Sequence, residues 1–491
     1  MYKKLSTLVV STELFHVEPL QHYIGYIAER YKIDENKLFH LGILIEEVFT
    51  HIVSEAFENR PDGEISISIL LSHTDFILQF HYMGIPFGYS FERVKNDRDE
   101  ISISLIRKLS SSYRMIQYGK DGQTVEISIS LPVEFDDNVS NNVFTGSNGK
   151  NSCELATDSV TIREIHDGEM ELLIQCLYHV FGYTYSSSII YHPDAILDRK
   201  RAGLYRGFVA VNEENRIIAH VAMLKDSADS VICECGQAFV SPAYAKRGLF
   251  CELKKVLMQK AEELGLRGVC SKSVTGHTYT QRANLTLGCV ETGFELSYIP
   301  AQLKSNVPRQ GDNERQAVIS YFCPTSHQSE QTVYIPENHC AIIKETYRHL
   351  GLIREFIIPD RDIEFLEKES DVEMTVKTDW NQVSLIIKKP GTDLKKRVNN
   401  IIRQAVVGGA AVFFVSLSMT DPYTPRIAGI LERAGFFYAG ILPYELDGSD
   451  SLMMQFIVDS NVTPGYVIAA SEWGQRIKEY IFSCKEYIDN K

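Results

Sequence analysis

Apolar residues recur every three to four positions over 19–31 and again over 37–57, and the period changes to two over 65–71 and 76–82. The first spacing lines up apolar side chains on one face of a helix, and the second puts them on one face of a strand. A turn at Gly84-Ile85-Pro86, a helix over 101–112 and a hairpin closing at Gly122 ahead of a strand over 124–131 complete this segment. Helices on one face of a mostly antiparallel sheet are the expected result.

The pattern then breaks. Residues 136–158, DDNVSNNVFTGSNGKNSCELATD, are polar and rich in Asn, Ser and Gly, which marks a linker. Beyond it the spacing predicts a helix over 169–183, paired strands over 207–212 and 217–225, an apolar strand over 231–240 and an amphipathic helix reaching 265. A strand over 267–274, a short helix over 277–287 and strands over 294–303 and 317–322 follow, with the polar stretch 304–316 as a long loop. The last third reads as a helix over 393–407, a buried strand over 410–417, a helix over 425–433 and a strand over 451–458. The domains expected from these shifts are 1–135, a linker 136–158, 159–323, a joint 324–332, and 333–491 with a C-terminal helix.

A chain of 491 residues is too long for one core, in keeping with three domains. Its net charge of −14 argues against nucleic acid as the main partner, which would need a basic surface. No run approaches the roughly 20 apolar residues of a membrane span, and the first thirty residues lack a signal-peptide pattern, so a cytoplasmic protein with no membrane partner is expected. The ten cysteines are scattered. Cys233 and Cys235 share one strand face and could touch a metal together, but no second pair completes a zinc site, so buried free thiols and no metal are expected.

The order and residues of the first segment resemble the anti-sigma-factor kinase branch of the GHKL ATPases over about residues 5–132. Where that family's helix carries Glu and, four residues on, a Mg²⁺-binding Asn, this chain has Glu47 and His51. The adenine-contacting Asp-x-Gly-x-Gly turn is replaced by Tyr82-Met83-Gly84-Ile85-Pro86, and the next glycine-rich loop by Glu100-Ile101-Ser102-Ile103. Only Gly84 and Thr124 remain from the adenine side. Histidine is a poor ligand for hard Mg²⁺, and side chains now stand where backbone amides must meet phosphate. Weak or no Mg-ATP binding, and a degenerate domain kept for a protein partner, are expected.

The central segment resembles the GNAT N-acetyltransferases. A strand ending in Val240-Ser241-Pro242 leads through Ala243-Tyr244-Ala245-Lys246-Arg247-Gly248-Leu249-Phe250 into a helix. A tight loop at a helix N-terminus presents free N–H groups and the positive end of the helix dipole to the pyrophosphate of coenzyme A. The resemblance assigns acetyl-CoA contacts to Val240, Ala245, Lys246, Arg247, Gly248, Leu249, Phe250 and Asn284. The family's loop is usually Gln/Arg-x-x-Gly-x-Gly/Ala, so Ala245 and Phe250 depart from it, and Phe250 is bulky where the cofactor approaches.

Transfer from a thioester to an amine needs a group that takes the amine's proton. Glu234, on the strand before Val-x-Pro, matches the position of that base in many members, and burial beside Cys233 and Cys235 would raise its pKa. The family's usual acid is a Tyr four before Gly288, where this chain has Asn284; His277 and Tyr279 are the substitutes in reach of the sulfur. Cys251, on the helix, is expected to be a packed thiol.

The stretch 287–300, LGCVETGFELSYIP, is echoed by 434–444, AGFFYAGILPY, and each precedes another strand. Two copies of one pattern suggest a tandem fold. The second copy has no basic glycine loop, and Pro390 ahead of Gly391 removes a backbone donor, so this half is expected to be non-catalytic. The expected fold class is therefore α/β and α+β multidomain: an N-terminal GHKL-like α/β sandwich, then tandem GNAT-like mixed-sheet domains. The expected function is acetyl transfer from acetyl-CoA to an amine on a small molecule or a protein. The alternatives are an ATP-binding serine kinase or anti-sigma-like regulator, and a non-catalytic acyl-CoA-binding module.

Overall fold

Asp34 opens a 23-residue helix by accepting the N–H of Lys37 on its carboxylate (2.9 Å), as an N-cap should. This helix, α2 (Glu35–Phe57), lies with α1 (Val17–Glu29) on a five-stranded antiparallel sheet. The strands are β1 (Lys3–Ser11), β2 (Glu64–Leu71), β3 (Asp75–Tyr82), β4 (Ser112–Gln117) and β5 (Gln123–Ser130), in the order β1-β2-β3-β5-β4. Leu41, Leu44, Ile45, Val48 and Ile52 of α2 meet Ile65, Ile67 and Ile69 of β2 in the core, and both sets follow the spacing read from the sequence. The helix expected to reach Ser112 is shorter: residues 104–109 are helical, and Ser112 already starts β4, paired with Ser128.

The computed structural model describes residues 3–72, 74–87, 104–131, 159–183, 185, 187–245, 247–300, 315–359, 364–458 and 464–490. The linker 136–158 and the loop stretch 304–314 therefore lie outside the described residues. The chain divides into two compact units, Met1–Glu154 with His166–Leu197, and Leu155–Ile165 with Asp198–Lys491. The division does not follow the polar linker, because α3 (Met170–Phe181) and the start of α4 (Pro193–Arg201) belong to unit 1. There the Tyr178 hydroxyl donates to Met83 O (3.1 Å), and that of Tyr183, beyond the helix, to Gly84 O (2.7 Å).

Unit 2 is built on one twelve-stranded sheet. Its first half contains β6 (Thr161–Glu164), β7 (Tyr205–Val211), β8 (Ile217–Leu224), β9 (Ile232–Val240), α5 (Leu249–Glu263), β10 (Gly268–Val274), α6 (Tyr279–Thr286), β11 (Val290–Ile299) and β12 (Gln316–Pro324). After β13 (Gln331–Tyr334), α7 (Cys340–Leu350) and β14 (Arg354–Ile357) come β15 (Asp371–Lys377), β16 (Gln382–Lys389), α8 (Leu394–Val407), β17 (Val412–Ser418), α9 (Thr424–Glu432), β18 (Phe437–Leu446), β19 (Ser449–Ile457) and α10 (Glu472–Asp489).

The strand order is β15-β16-β17-β19-β18-β11-β12-β10-β9-β8-β7-β6. Read from opposite ends, β8-β9-β10-β12-β11 and β15-β16-β17-β19-β18 are one arrangement used twice. In each, the second and third strands are parallel and joined by a helix, and all other neighbours are antiparallel. A parallel pair needs such a crossover, which explains the positions of α5 and α8.

The two arrangements meet at β11 and β18 through a single register pair, Gly293 opposite Gly440. A Cβ on Gly440 (φ +144) would lie 2.4 Å from Gly293 Cα, and one on Gly293 would lie 2.3 Å from Ala439 O. Gly293, which falls just outside the strand expected over 294–303, is thus inside a strand that begins at Val290, because the other half's backbone crosses there. Beside the crossing, Gln455 of β19 accepts from Leu296 N–H (2.8 Å) and donates to Phe294 O (3.0 Å). Cys289 and Cys323, at facing ends of β11 and β12, form a disulfide that the sequence reading did not anticipate.

Candidate active site

The parallel strands β9 and β10 pair only at Ile232–Gly268, Cys233–Val269 and Glu234–Cys270, then separate while continuing to Val240 and Val274. Splayed strands leave a slot edged by backbone groups. The equivalent strands β16 and β17 pair over five positions, Gln382–Val412 to Ile386–Ser416, which closes most of the corresponding gap.

Beside the slot, β9 carries a bulge. Its pairing with β8 shifts between Gly236–Ala222 and Phe239–His220, so that Gln237 and Ala238 share one opposite residue, and Gln237 takes φ +50. His220 fixes the bulge: its Nδ1 lies 2.8 Å from Gln237 O, and its Nε2 3.2 Å from the Tyr205 hydroxyl. A carbonyl only accepts, so Nδ1 holds the proton and Nε2 accepts from Tyr205. Complete burial pushes the imidazole pKa down to about 4, and the ring is neutral.

At the far end of β9, residues Pro242–Tyr244 form a turn whose buried Tyr244 is held by Asn212 Nδ2 (3.2 Å) and covered by the Arg247 guanidinium (5.2 Å to the ring centre). Gly248 caps α5 at φ +77 with no side chain to take up the first N–H groups, and a Cβ there would meet nothing within 4 Å. Exposed Ala245, Arg247 and Gly248 leave this helix end open to solvent. Leu249 belongs to the core, and Phe250, expected to crowd the loop, packs against that core, as does Val240. Lys246 lies outside the described residues.

Glu234 stands where the slot begins. Glu234 is an exposed residue with no ion pair among the described residues, and its carboxylate leans along the strand, with Oε1 3.5 Å from where a Cβ on Gly236 would be. The cysteines on either side, Cys233 and Cys235, point to the opposite, buried face, where burial raises both thiol pKa values, that of Cys233 to about 12. Contrary to the expectation from sequence, they are not what desolvates Glu234. Its pKa is raised by desolvation within a recess on the other face, against the lowering effect of Lys272; Asp226 and Glu295 raise it and Lys377 lowers it.

That recess draws on both halves of unit 2. Lys272 Nζ binds Glu295 Oε2 (2.7 Å) and lies over the Tyr298 ring (4.2 Å), while Ser320 Oγ donates to Glu295 Oε1 (2.8 Å). From the second half, Glu445 accepts from Ser416 (3.1 Å) and Ser451, and its pKa is raised by burial and by nearby Glu295, against Lys272. Trp380 packs edge-on to Tyr298 (5.5 Å) with Lys377 beside it. The sequence signal missed here is a charged residue inside an apolar strand, as in Phe294-Glu295-Leu296 and Tyr444-Glu445-Leu446.

The other residues singled out lie after β10. His277 is half-buried, with its pKa lowered by burial and its Nδ1 unbonded, and Tyr279 is 69% exposed with its ring 5.3 Å from that of His277. Asn284 is buried and directed inward: its Oδ1 accepts from Lys254 and Ser271, and its Nδ2 donates to Ser273 (2.9 Å). It has little left for a cofactor. Cys251 is a half-buried thiol whose pKa burial raises.

In unit 1, the turn matched to an adenine contact is filled by its own side chains. Phe87 is buried, stacks on Tyr82 (5.9 Å), meets the edge of His51 (5.4 Å) and exchanges two hydrogen bonds with Gln123. Gly84 lies against Ala56 of α2, where a Cβ would approach Ala56 O to 2.6 Å. Thr124 is buried beside His81 (3.1 Å), and Glu47 is half-buried on α2. Residues 100–103 lie outside the described set.

No family model matches the chain, and no curated protein matches it in sequence. Solved acetyltransferase structures are similar over about a third of it. They include the ribosomal-protein-S5-alanine acetyltransferase of Vibrio fischeri, with 12% identity over 36% of this chain and 98% of that one (TM-score 0.28). The Vibrio cholerae spermidine N-acetyltransferase in complex with CoA and spermine matches with 14% identity over 34% and 96% (TM-score 0.27). The Escherichia coli ribosomal-protein-S18-alanine N-acetyltransferase matches with 16% identity over 35% and 97% (TM-score 0.27). No helix of the described residues is long and apolar enough to cross a membrane.

Proposed function

We propose that the first half of unit 2 is a GNAT-type acetyltransferase that moves an acetyl group from acetyl-CoA to an amine. The observation that carries this reading is the alignment of three features along one strand: Glu234, the bulge at Gln237 and the open N-terminus of α5 after Gly248. Pyrophosphate would meet the free amides of α5 with Arg247 beside them. The pantetheine would run in the slot between β9 and β10, with the thioester near the bulge.

The amine would enter from the recess. A carboxylate with a raised pKa and no ion pair among the described residues suits a proton acceptor, so Glu234 takes the proton as nitrogen attacks the carbonyl. Electrons then return from the tetrahedral oxygen to expel the thiolate, which takes up a proton from solvent or from His277. The acceptor is an amine on a small molecule or a protein. In this reading the second half is a non-catalytic GNAT-like copy that supplies a wall of the recess. Unit 1 is a regulatory or interaction module for a protein partner, with its nucleotide position filled by Phe87.

Calorimetric titration of the full chain with acetyl-CoA tests the assignment. Gly248→Val, which needs a left-handed backbone that a β-branched residue resists and puts bulk where phosphate must approach, should reduce affinity at least about tenfold. Unchanged affinity in that variant would exclude the loop as the cofactor site. Tight binding without turnover on any amine would leave a non-catalytic acyl-CoA module.

A further inference from the structure

The two copies of the repeated arrangement in unit 2 differ at one edge. In the first half, β8 is covered on its outer side by β7, antiparallel from Tyr205–Leu224 to Val211–Ile217, and β7 is covered by β6. The second-half equivalent of β8 is β15. Among the described residues no strand lies beyond it: β15 ends the sheet, while β13 and β14, which precede it in the chain, pair with each other in a separate sheet. The place that an antiparallel strand fills in one half is thus empty in the other, and the outward N–H and C=O groups of this seven-residue strand have no ladder partner there.

The usual protections of a sheet edge are missing from β15. It has no proline or glycine and no charge on its core-facing side, and the extra residue of its one bulge, Lys388, is on β16. Val372, Met374 and Val376 stand opposite Ile387, Leu385 and Val383 and share their face, where those three are buried in the core with Leu394 and Val398 of α8. Met374 and Val376 carry this apolar face beyond the core, and each is 50% exposed. On the other face Glu373 is paired with Lys388 (2.7 Å). Asp371 and Lys377 are exposed and have no ion pair among the described residues, and Lys377 Nζ lies 6.0 Å from the centre of the Trp380 ring.

In chemical terms the strand matches its own reverse. Laid antiparallel on a second copy and centred on Met374, it sets Asp371 opposite Lys377, Val372 opposite Val376, Glu373 opposite Thr375 and Met374 opposite itself. Apolar residues then meet on the apolar face, the unpaired acid meets the unpaired base on the other, and no like charges stand opposite each other. A shift of one residue would put Met374 against Glu373 or Thr375 and set the two faces at odds. We propose that β15 pairs antiparallel with β15 of a second copy about a two-fold axis at Met374, joining two unit 2 sheets edge to edge. Such a contact is self-complementary, as a closed dimer requires, and makes about six to eight backbone hydrogen bonds. It does not depend on the acetyltransferase reading.

Sedimentation velocity of the full chain tests the proposal. An edge of this length is smaller than a standard interface, so the average mass should rise from monomer towards dimer between about 1 and 200 µM. Met374→Lys sets two like charges against each other at the axis and should weaken association at least about tenfold. Asp371→Lys and Lys377→Asp, each alone, turn two opposite-charge pairs into like-charge pairs and should weaken it about tenfold, whereas both changes in one chain should restore it to within about threefold of the native chain. All three side chains are exposed, so the variants should keep the urea midpoint of the native chain. A monomer at every concentration, which would leave the edge to a strand of another protein, a dimer undiminished by Met374→Lys, or a double variant no tighter than the single ones would overturn it.

Discussion

Replacing Glu234 by Gln removes a charge while keeping the side chain's shape. Because this carboxylate has no ion pair or hydrogen bond to lose among the described residues, the fold should be nearly indifferent, within about 0.5 kcal/mol. Acetyl-CoA affinity should be unchanged too, since the loop proposed to bind its pyrophosphate lies at the other end of β9. Turnover should fall by about 10²–10⁴-fold, the usual range for a lost general base, which corresponds to roughly 3–5 kcal/mol of transition-state free energy. The pH profile carries the sign. In the proposed role Glu234 acts deprotonated, so the wild-type rate should climb as pH passes its pKa, which desolvation raises. That acid limb should vanish in the variant, whose deficit should shrink at high pH as more of the amine is already neutral. Lys377→Met, which removes a charge that lowers the Glu234 pKa, should move the limb upward. The assay is thiol release from acetyl-CoA with a panel of primary amines at stepped pH. Equal rates in Glu234→Gln and wild type at every pH, or loss of cofactor binding with the rate, would refute the role and turn attention to His277.

His220 is held neutral with its pKa at about 4 against 6.5 when free, so the unfolded chain binds a proton first and stability should drop as pH falls from about 6.5 to 4, by roughly 3 kcal/mol. His220→Phe should abolish that acid dependence of urea unfolding; a slope equal to wild type would show that other groups cause it. Gly440→Ala drives a methyl into Gly293 Cα and Thr292 O, both backbone, and should cost about 2 kcal/mol or more in the same experiment. Gly351→Ala, also at positive φ (+67) but with open space around it, should cost only about 1 kcal/mol, and equal losses would contradict the crossing.

Local pattern made much of unit 2 legible. The strand, glycine loop and helix around Gly248 lie within a residue or two of their expected bounds, because period and capping chemistry are written in neighbouring residues. Features made by distant segments were not legible. Glu445 and Lys377 join Glu234 only because the sheet brings strands far apart in sequence onto one recess. The local spacing starts the strand at Phe294, but the second backbone crossing at Gly293 belongs to a segment far away in sequence, and Cys289 and Cys323 pair because β11 and β12 align Val290 with Phe322. The desolvation of Glu234 was credited to neighbouring cysteines, although strand alternation sends those to the opposite face. Asn284 has the residue type of a ligand contact, but the buried Lys254 and two serines occupy it.

The glycine crossing also bears on how such a chain could have arisen. If an ancestral domain was duplicated and fused edge to edge, each copy began with its own loop and slot, and only one needed to keep them. The other was then free to zip its parallel strands shut and to evolve as scenery for its sibling, contributing Glu445, Lys377 and Trp380 to the shared recess. Under such a division of labour, and on the function proposed above, drift in the closed copy would alter which acceptor is chosen while leaving the proposed donor loop untouched, so that relatives of this chain would diverge in substrate through mutations that lie wholly outside the half that holds Glu234.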